Sequence, residues 1–187
     1  VGFGPLAGCS ERTEGHGTSA AVHEETVPDS IRDELTRLGR EDQEVRKDLS
    51  PERMQDTAFA QAMVRGDSAR TVRLQAIVER YGWPDFSEVG AEAAQAAFLI
   101  LQHSPVLDFQ KEMLPVIEDR AQRGTVPLSD AALLIDRVLM HEGRPQRYGT
   151  QFRMDDGRLV LYPVEDEEGL EERRREMALP PMDEYMR

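Results

Sequence analysis

Signals that start and stop helices recur along most of this chain and constrain its fold more than any other feature. Ser50-Pro51 and Ser104-Pro105 each combine a side chain that caps free backbone N–H groups with a proline suited to the first helical turn. Gly66, Gly82 and Gly124 follow apolar residues with helical spacing and predict helix ends. The pattern predicts a mainly α protein with about six to seven antiparallel helices.

Several local expectations follow from the same signals. Gly66 is predicted to end one helix and Asp67 to cap the next. The run 88–102 is rich in small residues that let a neighbouring helix approach closely, and it predicts the most buried helix. Pro115 lies inside the pattern of the following helix and predicts a kink or a break. Trp83 is expected to cover the core.

Only one stretch has the two-residue period of a strand. Thr150, Phe152 and Met154 alternate with polar residues, and residues 158–162 form a second apolar run. The Asp156-Gly157 pair between them is a favoured hairpin turn. We therefore predict one β-hairpin near residues 149–163, in the C-terminal third of a single domain that covers 29–187.

The chain is strongly acidic, with 23 Lys and Arg residues against 36 Asp and Glu and a net charge of −13. No long basic stretch interrupts this charge, so we expect no binding to nucleic acid or anionic lipid through bulk electrostatics. No nucleotide-binding loop or metal-ligand spacing is present, and His16 and His23 are too isolated to predict a metal site. We predict no cofactor, no metal and no membrane-spanning helix.

The single cysteine lies in a short pattern that resembles a bacterial lipobox, Leu6-Ala7-Gly8-Cys9. Residues 1–9 are interpreted as the remnant of a lipoprotein signal whose charged and apolar parts would lie upstream of Val1. Residues 10–28 are polar and lack apolar periodicity, as expected of a disordered tether. We therefore expect a protein held at the cell envelope by a lipid on Cys9. The alternative is a cytoplasmic protein with a disordered tail and a chance cysteine.

Four polar groups interrupt the apolar helical pattern. They are Asp42-Gln43, Gln102-His103, Asp136-Arg137 and the run from Gln146 to Gln151. Such side chains are costly to bury without partners, so their position beside core-forming residues predicts a shared polar network or pocket. We hypothesise that His103, Asp42, Asp136 and Gln151 meet in one cavity.

These motifs also carry a family resemblance. The motifs are Asp42-Gln43 with Arg46, Tyr81-Gly82-Trp83-Pro84, Gln102-His103, Asp136-Arg137, and Gln146 with Tyr148-Gly149-Thr150-Gln151-Phe152. Over about residues 31–187 the chain resembles a bacterial family catalogued as domain of unknown function 6624. The resemblance implies a common fold and a shared site, but no activity. Ala178 departs from it, because the family tends to have glycine before the following leucine.

Three functions remain open. In the first, the domain binds a small polar ligand, a peptide or an envelope protein through Gln43, Arg46, Gln102, His103, Arg137, Gln146, Tyr148 and Gln151. In the second, it is a hydrolase-type enzyme in which His103 is the general acid or base and Asp42 or Asp136 orients it. In the third, it is a helical interaction scaffold whose polar network is purely structural. Binding is favoured because it needs no nucleophile, and Ser104 is better explained as a helix cap.

Overall fold

The computed structural model describes residues 26–186 apart from positions 48, 51, 52, 54, 156 and 157. Cys9 and the predicted tether up to residue 25 lie outside the described residues, as do Pro51 and the predicted Asp156-Gly157 turn. Eight helices are found in the described part: α1 (Asp29–Arg46), α2 (Thr57–Tyr81), α3 (Phe86–Val89), α4 (Ala91–Gln102), α5 (Leu107–Gln122), α6 (Leu128–His141), α7 (Leu170–Glu176) and α8 (Met182–Tyr185).

One antiparallel hairpin accompanies these helices. Strand β1 (Phe152–Asp155) pairs with β2 (Arg158–Leu161), and Phe152 lies opposite Leu161. Two of the eight helices, α3 and α8, are only four residues long, so six longer helices form the body. The predicted mainly α fold with one hairpin late in the chain is confirmed.

Helix α4 forms the centre of the core and contacts α1, α2, α3, α5 and α6. Its closest neighbour is α1, because Gly39 faces Ala96. A Cβ atom added at Gly39 would lie only 2.4 Å from the Cβ of Ala96. The expectation that small residues admit a neighbouring helix is therefore confirmed. Trp83 is 4% exposed and covers one end of this core, also as expected.

The predicted helix end at Gly66 is wrong. Helix α2 continues through Gly66 and Asp67 to Tyr81, and Asp56 caps its start. A Cβ atom at position 66 would approach the Arg70 guanidinium to 3.2 Å, so this glycine makes room for a side chain within the helix. Asp67 is not a cap, because its carboxylate pairs with arginines.

Two other local expectations change. The run 88–102 is not one helix, because Gly90 adopts a φ of 79° and separates α3 from α4. Asp85 caps α3, and Glu88 completes a capping box with it. Helix α5 continues through Pro115 without a break.

Candidate functional site

The polar centre of the domain is a pair formed by Asp42 of α1 and His103 at the end of α4. Asp42 is fully buried, and its Oδ2 atom lies 3.0 Å from Nδ1 of His103. A carboxylate can only accept hydrogen bonds, so Nδ1 of His103 carries the proton that it donates to Asp42, and Nε2 is an acceptor whenever the ring is neutral. Among the described residues Nε2 has no hydrogen-bond partner, and the His103 side chain is 20% exposed. This face of the ring is open to solvent.

Asp42 is also held by its own helix. Arg46 donates from Nη1 to Oδ1 at 2.7 Å, and Gln43 donates from Nε2 to Oδ2 at 2.9 Å. Burial alone would raise the pKa of the Asp42 carboxyl. The hydrogen bond and charge of His103, with the charge of Arg46 and the Gln43 hydrogen bond, more than offset burial and lower that pKa. Asp42 is therefore an anion that fixes the orientation of the imidazole.

Helix α2 adds a second ion pair to this centre. Arg46 reaches Asp67 with its Nη2 atom 2.9 Å from Oδ2, and Arg70 donates to Asp67 at 2.6 Å. The Nε atom of Arg70 lies 3.6 Å from Oδ1 of Asp42. We call this group the Asp42 cluster; its members are Asp42, Gln43, Arg46, Asp67, Arg70 and His103. Its two carboxylates and two guanidinium groups balance in charge.

Asp67 and Arg70 were not predicted as site residues. A usable signal was their position on the buried face of α2, in line with Thr71, Leu74 and Ile77. Charged side chains on a buried helix face require charged or polar partners. The pattern Gly66-Asp67 is ambiguous, because a glycine followed by an aspartate also fits the end of one helix and the start of the next.

Arg137 of α6 is a cation without an ion-pair partner in the part of the chain that the structure describes. Its Nε–H group is buried and donates no hydrogen bond to a described residue, and the guanidinium forms no ion pair with any of these residues. Burial lowers the pKa of Arg137, and the positive charge of Arg46 lowers it further. Arg46 is therefore within electrostatic range. The balanced cluster and this additional cation together leave an excess positive charge.

Asp136 belongs to a different network. Its fully buried carboxylate accepts hydrogen bonds from the backbone N–H groups of Arg147 at 2.7 Å, Tyr148 at 3.0 Å and Thr150 at 3.0 Å. The Thr150 hydroxyl donates to it at 2.9 Å. These bonds hold the loop before the hairpin onto α6. No contact joins Asp136 to His103 in the described part of the chain, so the fold does not bring these two of the three candidate catalytic residues together.

Gln146 has a similar structural role. Its fully buried amide donates from Nε2 to the carbonyls of Gln151 at 3.1 Å and Tyr162 at 2.8 Å. Its Oε1 accepts from the Gln151 backbone at 2.9 Å. Tyr148 is 7% exposed and packs against Leu139 in a small apolar cluster. These side chains fix the base of the hairpin.

Two predicted glutamines connect this loop to the end of α4. Gln102 and Gln151 both direct Nε2 to the carbonyl of Leu133, each at 3.4 Å. Gln151 also donates to the Thr150 hydroxyl at 2.9 Å. The four polar groups therefore divide between two networks, the Asp42 cluster and the loop network held by Asp136 and Gln146.

Arg174 was also missed as a central residue. It is fully buried and donates to the carbonyls of Tyr148 at 2.6 Å and Pro180 at 2.8 Å. The sequence shows it only within a charged run.

In the described part of the chain no group of three or more His, Cys, Asp or Glu residues could hold a metal ion. No described helix is long and apolar enough to cross a bilayer.

Comparison with known proteins assigns the family. The model of a family of unknown function, DUF6624, matches residues 28–187, so the chain belongs to that family. The match includes the Asp42 cluster, Arg137 and the loop held by Asp136. No curated protein and no solved structure matches the chain.

Proposed function

We propose that this domain binds a small polar ligand that carries an anionic group, at the face formed by His103 and Arg137. The observation that carries the proposal is the guanidinium of Arg137, which forms no ion pair with a described residue and lies within electrostatic range of Arg46 in the Asp42 cluster. A largely buried cation without a counter-ion is costly, and such exceptions to local pairing are expected most often at functional sites. A ligand carboxylate or phosphate would supply the missing anion.

His103 supports the same proposal, because its side chain is 20% exposed at the edge of the Asp42 cluster. Its Nδ1 is fixed by Asp42, so the open Nε2 edge has a defined direction. Gln43 presents an exposed amide next to it. A cation, an imidazole and an amide form a mixed set of groups that suits a polar ligand better than an apolar one.

A thermal-stabilisation screen tests this proposal. The probes are inorganic phosphate, acetate, succinate and glutamate, added to the full chain. A ligand that binds only the folded state stabilises it by about 2.7 kcal/mol at a concentration one hundred times its Kd. We expect at least one probe to raise Tm with a saturable dependence.

Matched variants distinguish this site from general ionic effects. Arg137→Met and His103→Gln should abolish the saturable rise, whereas Arg65→Met should retain it. Arg65 is an exposed arginine of α2 and lies outside the Asp42 cluster. If no probe stabilises the parent, or if Arg137→Met responds as the parent does, anion binding is wrong. The structural-scaffold reading would then be favoured.

A second candidate function, a hydrolase using activated water, is supported by the Asp42–His103 geometry. A buried carboxylate that orients an imidazole leaves Nε2 able to take a proton from water. The test is turnover of nitrophenyl esters and phosphates by the parent and by His103→Gln. A general base contributes about 10²–10⁴-fold, so His103→Gln should lose turnover by that factor. Turnover that is equal in both proteins would exclude this role.

We also propose that the domain acts at the cell envelope through a lipid on Cys9. The lipobox and the polar residues that follow it support this location. A lipid anchor would hold an acidic domain at a membrane to which its own charge would not attract it.

A further inference from the structure

A cavity that shares no lining residue with the Asp42 cluster has a different chemistry. It has a volume of about 450 Å³ and lies where the Trp83–Phe86 segment and α4 meet the start of α6. Its lining is mostly apolar and includes Trp83, Phe86, Phe98, Val126, Leu128 and Asp130. This volume is in the range of about 300–1,000 Å³ typical of small-molecule sites.

Among the described residues that line this cavity, Asp130 has the one carboxyl group, and no described residue pairs with it. The residue is 8% exposed, and its Oδ2 atom is buried without a hydrogen bond. Burial raises the pKa of Asp130 to about 6. The nearby Arg120 is paired with Asp85 and not with Asp130. By contrast, the carboxylate of Asp136, which is 0% exposed, accepts several hydrogen bonds.

The aromatic and aliphatic residues around Asp130 are only partly covered. Trp83 and Phe98 are buried at 4% and 3% exposure, but Phe86 and Leu128 are 51% and 38% exposed at the rim. Exposed apolar side chains beside a concave surface are typical of binding sites. Aromatic rings also attract cations through their negative faces. The lining therefore favours a ligand with an apolar body and a positive charge.

We propose that this cavity binds a small organic cation whose ammonium group pairs with Asp130 and whose apolar body contacts Trp83 and Phe98. A neutral apolar ligand would leave the carboxylate unpaired, which is costly in a dry site. An anionic ligand would be repelled. This site is independent of the anion site at Arg137.

Trp83 is the only tryptophan in the chain, so its fluorescence reports directly on the cavity. Three probes share one phenyl body and differ in charge: phenethylammonium, phenethyl alcohol and phenylacetate. They are titrated into the full chain at about pH 8, where an acid of pKa near 6 is ionised. We expect a saturable change with phenethylammonium and an affinity at least about tenfold above that for the alcohol, which corresponds to roughly 1.4 kcal/mol.

The acidic surface requires a charge control, because a net charge of −13 attracts any cation. Asp130→Asn should bind the ammonium and the alcohol with similar affinity. Asp33→Asn removes one exposed carboxyl on α1 and should keep the preference. The proposal is overturned if the three probes bind equally, if none changes the fluorescence at millimolar concentration, or if Asp130→Asn retains the preference.

Discussion

The Nδ1 atom of His103 and the Oδ2 atom of Asp42 lie 3.0 Å apart, although 61 residues separate them in the sequence. Helices α1 and α4 bring the two together, and α2 adds Asp67 and Arg70 from a third direction. The site therefore depends on three helices packing correctly. Its electrostatics and the stability of the fold share the same residues.

Replacing Asp42 should destabilise the fold. Asp42→Asn leaves Arg46 and Arg70 with a single carboxylate between them at a site where Asp42 is 0% exposed. Breaking a buried ion pair costs about 3 kcal/mol or more, so the free energy of unfolding should fall by that amount at neutral pH. Urea denaturation measures it. The exposed Asp33→Asn on the same helix should change it by less than about 0.5 kcal/mol. Equal effects of the two changes would contradict the cluster.

Removing the unpaired cation should have the opposite effect. Arg137→Met keeps an unbranched side chain but removes the charge that burial disfavours. We expect the ligand-free protein to gain about 1 kcal/mol of stability, as is common when a functional group is removed from its site. Arg65→Met is the matched control. A clear loss of stability in Arg137→Met would show instead that Arg137 supports the fold.

The sequence predicts some residues of the Asp42 cluster and not others. Asp42 and His103 were predicted because each interrupts an apolar helical pattern. Asp67 was missed as a site residue because its position after Gly66 also fits a helix start. Only the packed structure shows that Gly66 leaves space for Arg70. Local spacing encodes which face of a helix is buried, but not which charged groups of other helices it meets.

Asp136 shows a second limit of prediction from sequence. A buried aspartate before an arginine fits a catalytic partner, an ion pair or a backbone anchor equally well. Its actual role depends on the path of residues 146–151, which form irregular structure with no periodic signal. The helices and the hairpin were predictable because hydrophobic period and turn residues determine them locally. The bonding of Asp136 is a long-range property.

Replacing Asp136 should loosen the loop formed by residues 146–151. Asp136→Asn removes charge from an acceptor of three backbone N–H groups and one hydroxyl. The cost of leaving such donors poorly paired is about 2 kcal/mol. Amide hydrogen exchange at Tyr148 and Thr150 should become faster, while exchange within α2 follows global unfolding only. Unchanged exchange at Thr150 would refute this anchoring role. Asp108→Asn, at an exposed position of α5, is the control.

Stability should depend on pH through Asp130. Its pKa in the folded protein is about 6, above the ordinary value of 3.8, so the protonated form favours folding. This contribution is present below pH 3.8 and is lost as the pH rises through about 6. Above that pH, Asp130→Asn should be more stable than the parent by on the order of 3 kcal/mol. The two proteins should converge near the ordinary value. Chemical denaturation across this range measures the difference, and a constant difference at every pH would contradict it.

Lipidation at Cys9 stays a prediction. Expression of the gene in its own host, followed by membrane fractionation and mass spectrometry, should detect a diacylglycerol on Cys9 and place the parent in the membrane fraction. Cys9→Ala should release the protein from that fraction. A parent that is unmodified and distributes as Cys9→Ala does would remove the envelope assignment and favour the cytoplasmic alternative.

The contact between Gly39 and Ala96 has an evolutionary consequence. A methyl group at position 39 would come within 2.4 Å of the Ala96 side chain, so α1 would have to move away from α4. Asp42 lies one turn beyond Gly39, and the same movement would lengthen its hydrogen bond to His103. Substitutions at positions 39 and 96 are therefore not independent. Across the family, a larger residue at one position should be accompanied by a smaller one at the other wherever the aspartate and histidine are both retained.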